Sequence, residues 1–246
     1  MSVPQRLGVP VRVRFEECRP GGSIRTSTFL RYAQDAAWAH SSGAGFGRDW
    51  YGQRGLAWLV RCLELVVVGD GQVGQTLTVT TEVIGLRRVL VRRRAEILDA
   101  VGAPIAEVLT DWLMLGPGLV PVRVPAEIER VFPMTPTRFD PARVPLPPTP
   151  VGAHLRRFHV RRSEIDPMAH VNNAVYLDYL EESLAEAGAA ADLEVRPRRY
   201  RLEYQQAAGP GAALTGATWR RGAGWAYRLS DEAGQDLLRA TFAPGA

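Results

Sequence analysis

The sequence contains no lysine, so all 30 of its basic residues are arginines. This absence excludes two large classes of enzyme. A Walker A phosphate loop needs a lysine to reach the phosphates, and a pyridoxal phosphate enzyme needs one to form its Schiff base. The glycine-rich segment 43–47 follows a helix-like stretch rather than a strand. It is therefore predicted to end a helix and not to bind a dinucleotide.

Cysteine, histidine and long apolar runs are also scarce. Two cysteines and four histidines without ligand-like spacing provide neither a disulfide framework nor a zinc site, so we predict no metal and no cofactor. The longest apolar stretches, such as 65–68, are too short to cross a bilayer, and the first residues do not resemble a signal peptide. A cytoplasmic protein without a membrane span is expected.

The arginine run 92–94 lies in a strand-like segment without interleaved aromatic residues, so no nucleic acid partner is expected.

Proline is concentrated in one part of the chain. Ten of the 18 prolines lie between residues 116 and 150, which excludes long helices and central strands there. One short helix is predicted inside this segment, at 125–132, with proline in its first turn. The sequence therefore predicts an N-terminal domain at 1–116, a proline-rich linker at 117–154 and a C-terminal domain at 155–246.

The two halves repeat each other. Residues 23–35 align with residues 170–182 at a constant offset of 147 residues, and later segments align after loops of different length. Equivalent positions include Phe29 and Tyr176, Leu30 and Leu177, Tyr32 and Tyr179, and Leu65 and Tyr204. The sequence thus predicts one structural unit that occurs twice.

The sequence of each copy predicts a strand, a turn, one long helix and then three or four strands. Alternating segments at 11–15 and 158–162 indicate the first strands. Apolar residues at 177, 180, 184 and 187 recur at helical spacing, while 75–83 and 89–98 alternate and are rich in β-branched residues. One long helix against an antiparallel sheet is an α+β architecture.

The copies differ where polar chemistry would be placed. Just before its helix the second copy carries Asp166 and His170, whereas the first has Arg19 and Ser23 at the same positions. Titratable residues in one copy only indicate one working site and one supporting half. The alternative is that Asp166 and the asparagines that follow only make turn and cap hydrogen bonds. For the two asparagines taken alone, capping is the favoured interpretation.

The segment 166–176, with Asp, His-Val-Asn-Asn and Tyr at fixed spacing, resembles the signature of the hot-dog thioesterases. Together with segments 34–40, 45–47 and 56–60 of the first half, it resembles the acyl-acyl carrier protein thioesterases, whose fold is a tandem (double) hot-dog. The resemblance implies hydrolysis of a fatty acyl thioester to the free acid, with acyl carrier protein and its phosphopantetheine arm as the partner. Acyl-coenzyme A hydrolysis, or weak acyl-thioester binding without efficient hydrolysis, are the alternatives. A monomer or a homodimer of double units is expected.

The resemblance also implies roles for individual residues. Asp166 is expected to act as general base or nucleophile, His170 to position water or substrate, and Asn172 to begin the helix whose amides stabilise an oxyanion. Substrate-binding roles are predicted for Asn173, Met168, Tyr176, Glu203 and Gln205.

Two positions depart from the pattern of the plant enzymes. Met168 occupies the place of an asparagine, and Ala207 occupies the place of a catalytic glutamate. Glu203, Gln205 or Gln206 could substitute for that glutamate, but strand alternation prevents all three from facing one site.

Overall fold

The computed structural model describes residues 4–132 and 139–246. The chain divides into two compact units. The first comprises Met1–Arg61 and Gly69–Pro141, and the second comprises Cys62–Val68 and Ala142–Ala246.

The first unit is an antiparallel sheet with one long helix packed against it. Strands β1, β3, β4 and β5 are neighbours in that order, and α1 packs on all four. Strand β2 begins in this unit and continues into the second. The elements are β1 (Arg6–Arg12), α1 (Thr26–Gly43), α2 (Arg48–Gly52), β2 (Ala57–Val67), β3 (Thr76–Arg87), β4 (Leu90–Leu98), β5 (Pro104–Leu115) and α3 (Ala126–Val131).

The core of this unit follows from two periodicities. Helix α1 buries Phe29, Ala33, Ala36 and His40, which recur every three or four residues along one face. Strand β3 alternates between buried and partly exposed side chains, so every second residue faces the helix. Helix α1 ends at Gly43, and Gly45 adopts a positive φ of 89° after it, which confirms the predicted helix stop in the glycine-rich segment.

The second unit repeats this design. Strands β2, β7, β10, β9, β8 and β6 form its antiparallel sheet in that order, and α4 packs against β6 and β8. The α+β architecture predicted for both copies is confirmed. The elements are β6 (His154–His159), α4 (Val175–Leu184), β7 (Arg198–Tyr204), β8 (Ala213–Arg221), β9 (Gly224–Asp231) and β10 (Asp236–Pro244).

Hydrogen bonds outside the regular elements also repeat at the offset of 147 residues. The Glu17 carboxylate accepts the Arg14 amide at 2.8 Å and the Tyr32 hydroxyl at 2.5 Å. In the second unit the Glu164 carboxylate accepts the Arg161 amide at 2.7 Å and the Tyr179 hydroxyl at 2.6 Å. These contacts confirm the internal repeat.

The same contacts correct the predicted first strands. Alternation predicted strands at 11–15 and 158–162, but β1 ends at Arg12 and β6 ends at His159. A single helical turn follows each strand, and the carboxylate of its last residue, Glu17 or Glu164, accepts the amide just before that turn. This local hydrogen bond turns the chain away from the sheet although the alternation continues.

Part of the proline-rich linker lies along the sheet of the second unit. The Val144 amide donates to the Glu203 carboxylate at 2.8 Å, and Arg221 and Arg228 donate to the carbonyl oxygens of Pro145 and Pro147 at 3.0 and 2.8 Å. Leu146 packs against a cluster formed by Ala217, Trp219 and Ala226. Earlier in the linker, the helix predicted at 125–132 is confirmed as α3.

Candidate functional site

A tight turn precedes α4 and carries the Asp–His motif. The Asp166 amide donates to the His170 carbonyl at 2.8 Å, and the Ala169 amide donates to the Asp166 carbonyl at 2.9 Å. Ala169 adopts a φ of 64°, a left-handed conformation that is uncommon for a residue with a Cβ. The turn therefore holds Asp166 and His170 at its two ends.

The first unit contains the same turn with different side chains. The Arg19 amide donates to the Ser23 carbonyl at 2.8 Å, and the Gly22 amide donates to the Arg19 carbonyl at 3.0 Å. The backbone frame is thus common to both copies, while the carboxylate occurs only in the second. This difference supports one working site, and it is a difference of side chains alone.

Asp166 is half-buried, and its two carboxylate oxygens have different surroundings. Oδ1 accepts the Met168 amide at 2.8 Å. Within residues 4–132 and 139–246, the structure shows no hydrogen bond to Oδ2. One oxygen therefore fixes the side chain, and the other can accept a proton from water or attack an electrophile.

His170 and Met168 lie on the exposed side of the turn. The Met168 side chain is 55% exposed, and its amide, not its side chain, contacts Asp166. The His170 imidazole is exposed and makes no hydrogen bond within the described part of the chain. Both side chains can meet a bound molecule, and neither orients Asp166 through a hydrogen bond of its own.

The two asparagines lead into α4. The Asn172 side chain accepts the Ala174 amide at 2.9 Å, and the Asn172 carbonyl accepts the Val175 amide at 2.9 Å. Asn172 therefore makes a turn hydrogen bond, whereas α4 begins at Val175, later than the sequence indicated, with Ala174 as its N-cap and no side-chain cap hydrogen bond. The first amides of a helix lack partners inside it and form a partly positive end, which suits a developing oxyanion.

Tyr176 links the helix to the segment after β7. Its hydroxyl accepts the Ala208 amide at 2.9 Å, and the Ala208 carbonyl accepts the Val171 amide at 3.0 Å. Burial raises the pKa of Tyr176, the hydrogen bond from the Ala208 amide opposes this shift, and the negative charge of Asp166 adds to it. Ala207 precedes Ala208 in this segment and is exposed. The position that the resemblance aligns with the plant glutamate thus directly precedes a residue bound to the motif, and it has a methyl group.

The structure does not bring Glu203 to the same side. Leu202 and Tyr204 are buried on the face of β7 toward α4, where the Tyr204 ring packs edge-on against Tyr176 with centroids 5.5 Å apart. Glu203 lies between them and therefore points to the opposite face, where it binds the Val144 amide. The Gln205 amide donates to the Leu237 carbonyl at 2.8 Å. The substrate-binding roles of Glu203 and Gln205 stay predictions.

Sequence reasoning missed one residue of this cluster. The Tyr204 hydroxyl donates to the Asn173 carbonyl at 2.9 Å, at the turn that leads into α4. The signal was available in the repeat, since Tyr204 aligns with Leu65, which has no hydroxyl.

Residues 4–132 and 139–246 contain neither a metal-binding cluster nor a membrane-spanning helix. No cluster of three or more histidine, cysteine or acidic side chains has an arrangement that could hold a metal ion. None of their helices has the length and apolar character needed to cross a membrane.

Solved structures share this fold over nearly the whole chain. An oleoyl thioesterase from Lactobacillus plantarum superimposes with a TM-score of 0.83 at 19% identity, covering 96% of this chain and 94% of that one. The 12:0-ACP thioesterase from Umbellularia californica superimposes with a TM-score of 0.80 at 19% identity, covering 98% of this chain and 97% of that one. An acyl-ACP thioesterase from Bacteroides thetaiotaomicron gives 0.80 at 14% identity, with 97% of each chain covered. The fold is the predicted tandem hot-dog.

Family profiles extend the likeness to sequence. The acyl-ACP thioesterase N-terminal domain matches residues 10–129, and the acyl-ACP thioesterase C-terminal domain matches residues 152–241. No curated protein sequence matches the chain. The two matched domains together span most of the sequence, in the order of the two structural copies. The chain belongs to the acyl-ACP thioesterase family and is a thioester hydrolase.

Proposed function

We propose that this thioesterase releases fatty acids from acyl carrier protein, with Asp166 as its catalytic carboxylate. The observation that carries the proposal is the second oxygen of Asp166, which has no hydrogen bond among the described residues and belongs to a carboxylate held beside the start of α4. The first copy offers an arginine at the same point of the same turn. The family to which the chain belongs supports the acyl carrier protein as substrate carrier.

The proposed reaction uses groups of the second unit. Asp166 takes a proton from a water molecule, whose oxygen attacks the thioester carbonyl carbon. The carbonyl oxygen becomes an oxyanion that faces the partly positive start of α4. Collapse of this intermediate breaks the carbon–sulfur bond and expels the thiolate, which takes up the proton that Asp166 removed from the water, so the carboxylate is regenerated. Direct attack by Asp166 to form an anhydride, followed by hydrolysis, is the alternative use of the same oxygen.

The other site residues have supporting roles in this proposal. His170 lies exposed at the end of the turn, where it can position the carrier arm or the water. Asn172 caps the turn before α4, and Asn173 offers a side-chain amide that makes no hydrogen bond in the described ranges. The predicted domain ranges, the monomeric or dimeric state and the cytoplasmic location belong to the same proposal.

The first test removes the carboxylate. In Asp166→Asn, we expect kcat/KM to fall by about 10²–10⁴, because amides are very poor bases and this is the usual range for loss of a general base. His170→Ala should lower the rate less, since its ring does not orient Asp166. The measurement is thiol release from acyl carrier protein loaded with acyl chains of varied length.

Matched controls come from the first copy. Ser23→Ala changes the position equivalent to His170 and should leave the rate within about twofold, as expected for a site remote from the chemistry. A loss comparable to that of Asp166→Asn would contradict the one-site proposal. Parallel assays with acyl-coenzyme A of the same chain lengths decide the carrier, and a higher kcat/KM for coenzyme A would overturn the proposed substrate.

A further inference from the structure

The hydroxyls of Tyr176 and Tyr204, both next to the motif, have no counterpart in the first unit. Tyr176 aligns with Phe29, and Tyr204 aligns with Leu65. A third tyrosine of the second unit behaves differently. Tyr179 aligns with Tyr32, and each of these hydroxyls donates to the glutamate of its own turn. The Tyr179 hydroxyl thus makes a contact that occurs in both copies. The hydroxyls of Tyr176 and Tyr204 occur only in the half that carries Asp166.

The Tyr176 and Tyr204 hydroxyls both form hydrogen bonds with main-chain groups next to the motif. Tyr204 donates to the Asn173 carbonyl, and Tyr176 accepts the Ala208 amide, each at 2.9 Å. The Tyr176 and Tyr204 side chains are 1% and 5% exposed, so neither hydroxyl is on the surface. The packing of their rings would be served as well by phenylalanine, which leaves the hydroxyls to be explained.

The contact of Tyr204 has a specific mechanical consequence. One peptide group joins Asn173 to Ala174. Its carbonyl accepts the Tyr204 hydroxyl, and its amide donates to the Asn172 side chain at 2.9 Å. Because a peptide group is planar, holding both ends fixes the orientation of the whole plane. This plane immediately precedes α4, which begins at Val175.

We propose that Tyr204 is a positioning residue, which together with Asn172 clamps the peptide between Asn173 and Ala174 and so orients the start of α4. The proposal rests on the proposed function, in which the start of α4 faces the oxyanion. Oxyanion stabilisation depends on donors already aimed at the developing charge, so a small rotation of this peptide should slow the chemical step more than it weakens substrate binding.

The test is Tyr204→Phe, which removes only the hydroxyl. We expect kcat to fall by about tenfold, less than the 10²–10³ that follows loss of a whole oxyanion donor, with KM changed by less than about twofold. Tyr32→Phe is the matched control, because it loses a buried hydroxyl whose contact occurs in both copies. It should lower the melting temperature with little effect on kcat. Equal kcat in Tyr204→Phe and wild type would overturn the proposal.

A second measurement tests the clamp without reference to activity. Hydrogen exchange of the Ala174 amide should be faster in Tyr204→Phe than in wild type, while exchange in β9 and β10 stays unchanged. Unchanged exchange at Ala174 would refute the clamp, whether or not the chain hydrolyses thioesters. Inactivity on every thioester would by itself count only against the proposed function.

Asn172→Ala supplies the second variant. Because Asn172 and Tyr204 hold the same peptide, the losses in kcat should be less than additive in the double variant. If Tyr204→Phe does not fold, Asn172→Ala alone must show the same loss of kcat and the same faster exchange. Fully additive losses, or an Asn172→Ala variant without either effect, would overturn the clamp.

Discussion

Ala207 is the residue at which the chain departs most clearly from the plant enzymes of its family. It lies exposed next to Ala208, whose amide and carbonyl are bound to Tyr176 and Val171. A carboxylate at this position would therefore extend from a segment that is already fixed beside the motif. This chain has a methyl group at that position.

Ala207→Glu should raise kcat. A second carboxylate near Asp166 can share the work of activating water, and general bases contribute about 10²–10⁴ when well placed, so a gain of several-fold is a modest expectation. Thiol release from an acyl-loaded carrier protein measures it, with Ala207→Gln as the uncharged control of the same size. A rate at or below the wild-type value in the glutamate variant would show that Asp166 does not need the plant arrangement here.

Glu203 is a second single residue with a testable role, which is to hold the linker. Its side chain is 4% exposed, and it accepts the buried Val144 amide of the linker. Glu203→Ala should lower the free energy of unfolding by about 1–3 kcal/mol, because the amide loses its partner in a buried place. Urea unfolding measures this loss.

Glu203→Gln separates stability from substrate binding, since the glutamine oxygen can still accept the Val144 amide. It should be more stable than Glu203→Ala and should keep a wild-type KM if the residue serves only the linker. A large rise in KM in this variant would instead support the substrate-binding role predicted from the sequence.

At the scale of elements, the contact of α1 with β4 contains a buried histidine and a partly buried arginine. His40 is 1% exposed, and its Nε2 lies 2.8 Å from the Pro4 carbonyl while its Nδ1 lies 3.0 Å from an Arg93 nitrogen. A carbonyl only accepts and a guanidinium only donates, so Nε2 carries the hydrogen and Nδ1 accepts. Arg93 also donates to Thr81. Burial lowers the pKa of Arg93 to about 10, which leaves it charged at neutral pH.

This contact predicts a dependence of stability on pH. Burial lowers the pKa of His40, and the Arg93 charge lowers it further, while the hydrogen bond to Pro4 opposes the shift. The unfolded chain, with a histidine pKa near 6.5, therefore binds the proton first as the pH falls. The contribution is fully present above that pH and is lost progressively below it.

His40→Gln is the variant that tests the contact, because glutamine can donate to Pro4 and accept from Arg93 without titrating. The free energy of unfolding should fall less between pH 7.5 and about 5.5 in the variant than in wild type, over the range in which histidine takes up its proton. Equal slopes in urea titrations would contradict the assignment of the neutral imidazole to the folded state.

At the scale of the whole molecule, a short segment of the first half of the chain belongs to the second unit, the rest of which begins at Ala142. Residues Cys62–Val68 are part of the second unit, where β2 pairs with β7 from Cys62↔Glu203 to Val67↔Arg198. A fragment of residues 142–246 would expose this edge of β7. Unpaired edges of apolar strands associate with other strands.

The fragment 142–246 should therefore dimerise or precipitate. Size-exclusion chromatography with light scattering measures its mass. A fragment that also carries residues 57–68 through a flexible linker should be more soluble, since it restores the partner of β7. A stable, folded monomer of 142–246 alone would contradict this dependence.

Much of the architecture was predictable because it depends on short-range patterns. The repeat, the long helices and most strands follow from periodicity and spacing, and the structure confirms these elements. The motif at 166–176 was identified by its resemblance to a family signature. The first strands were misplaced because a glutamate three residues along the chain captures the Arg14 and Arg161 amides. Alternation alone cannot show such a local hydrogen bond.

By itself the sequence determined that there are two copies and that one of them carries an acidic residue at the turn before its helix, since both are properties of residue order. Only the tertiary structure decided which groups meet. It placed Glu203 on the linker side of β7, Tyr204 on the Asn173 carbonyl and Ala208 between Val171 and Tyr176. The physical reason is that these contacts join residues about 30 to 60 positions apart, and their partners are set by strand register and helix packing rather than by neighbours in the chain.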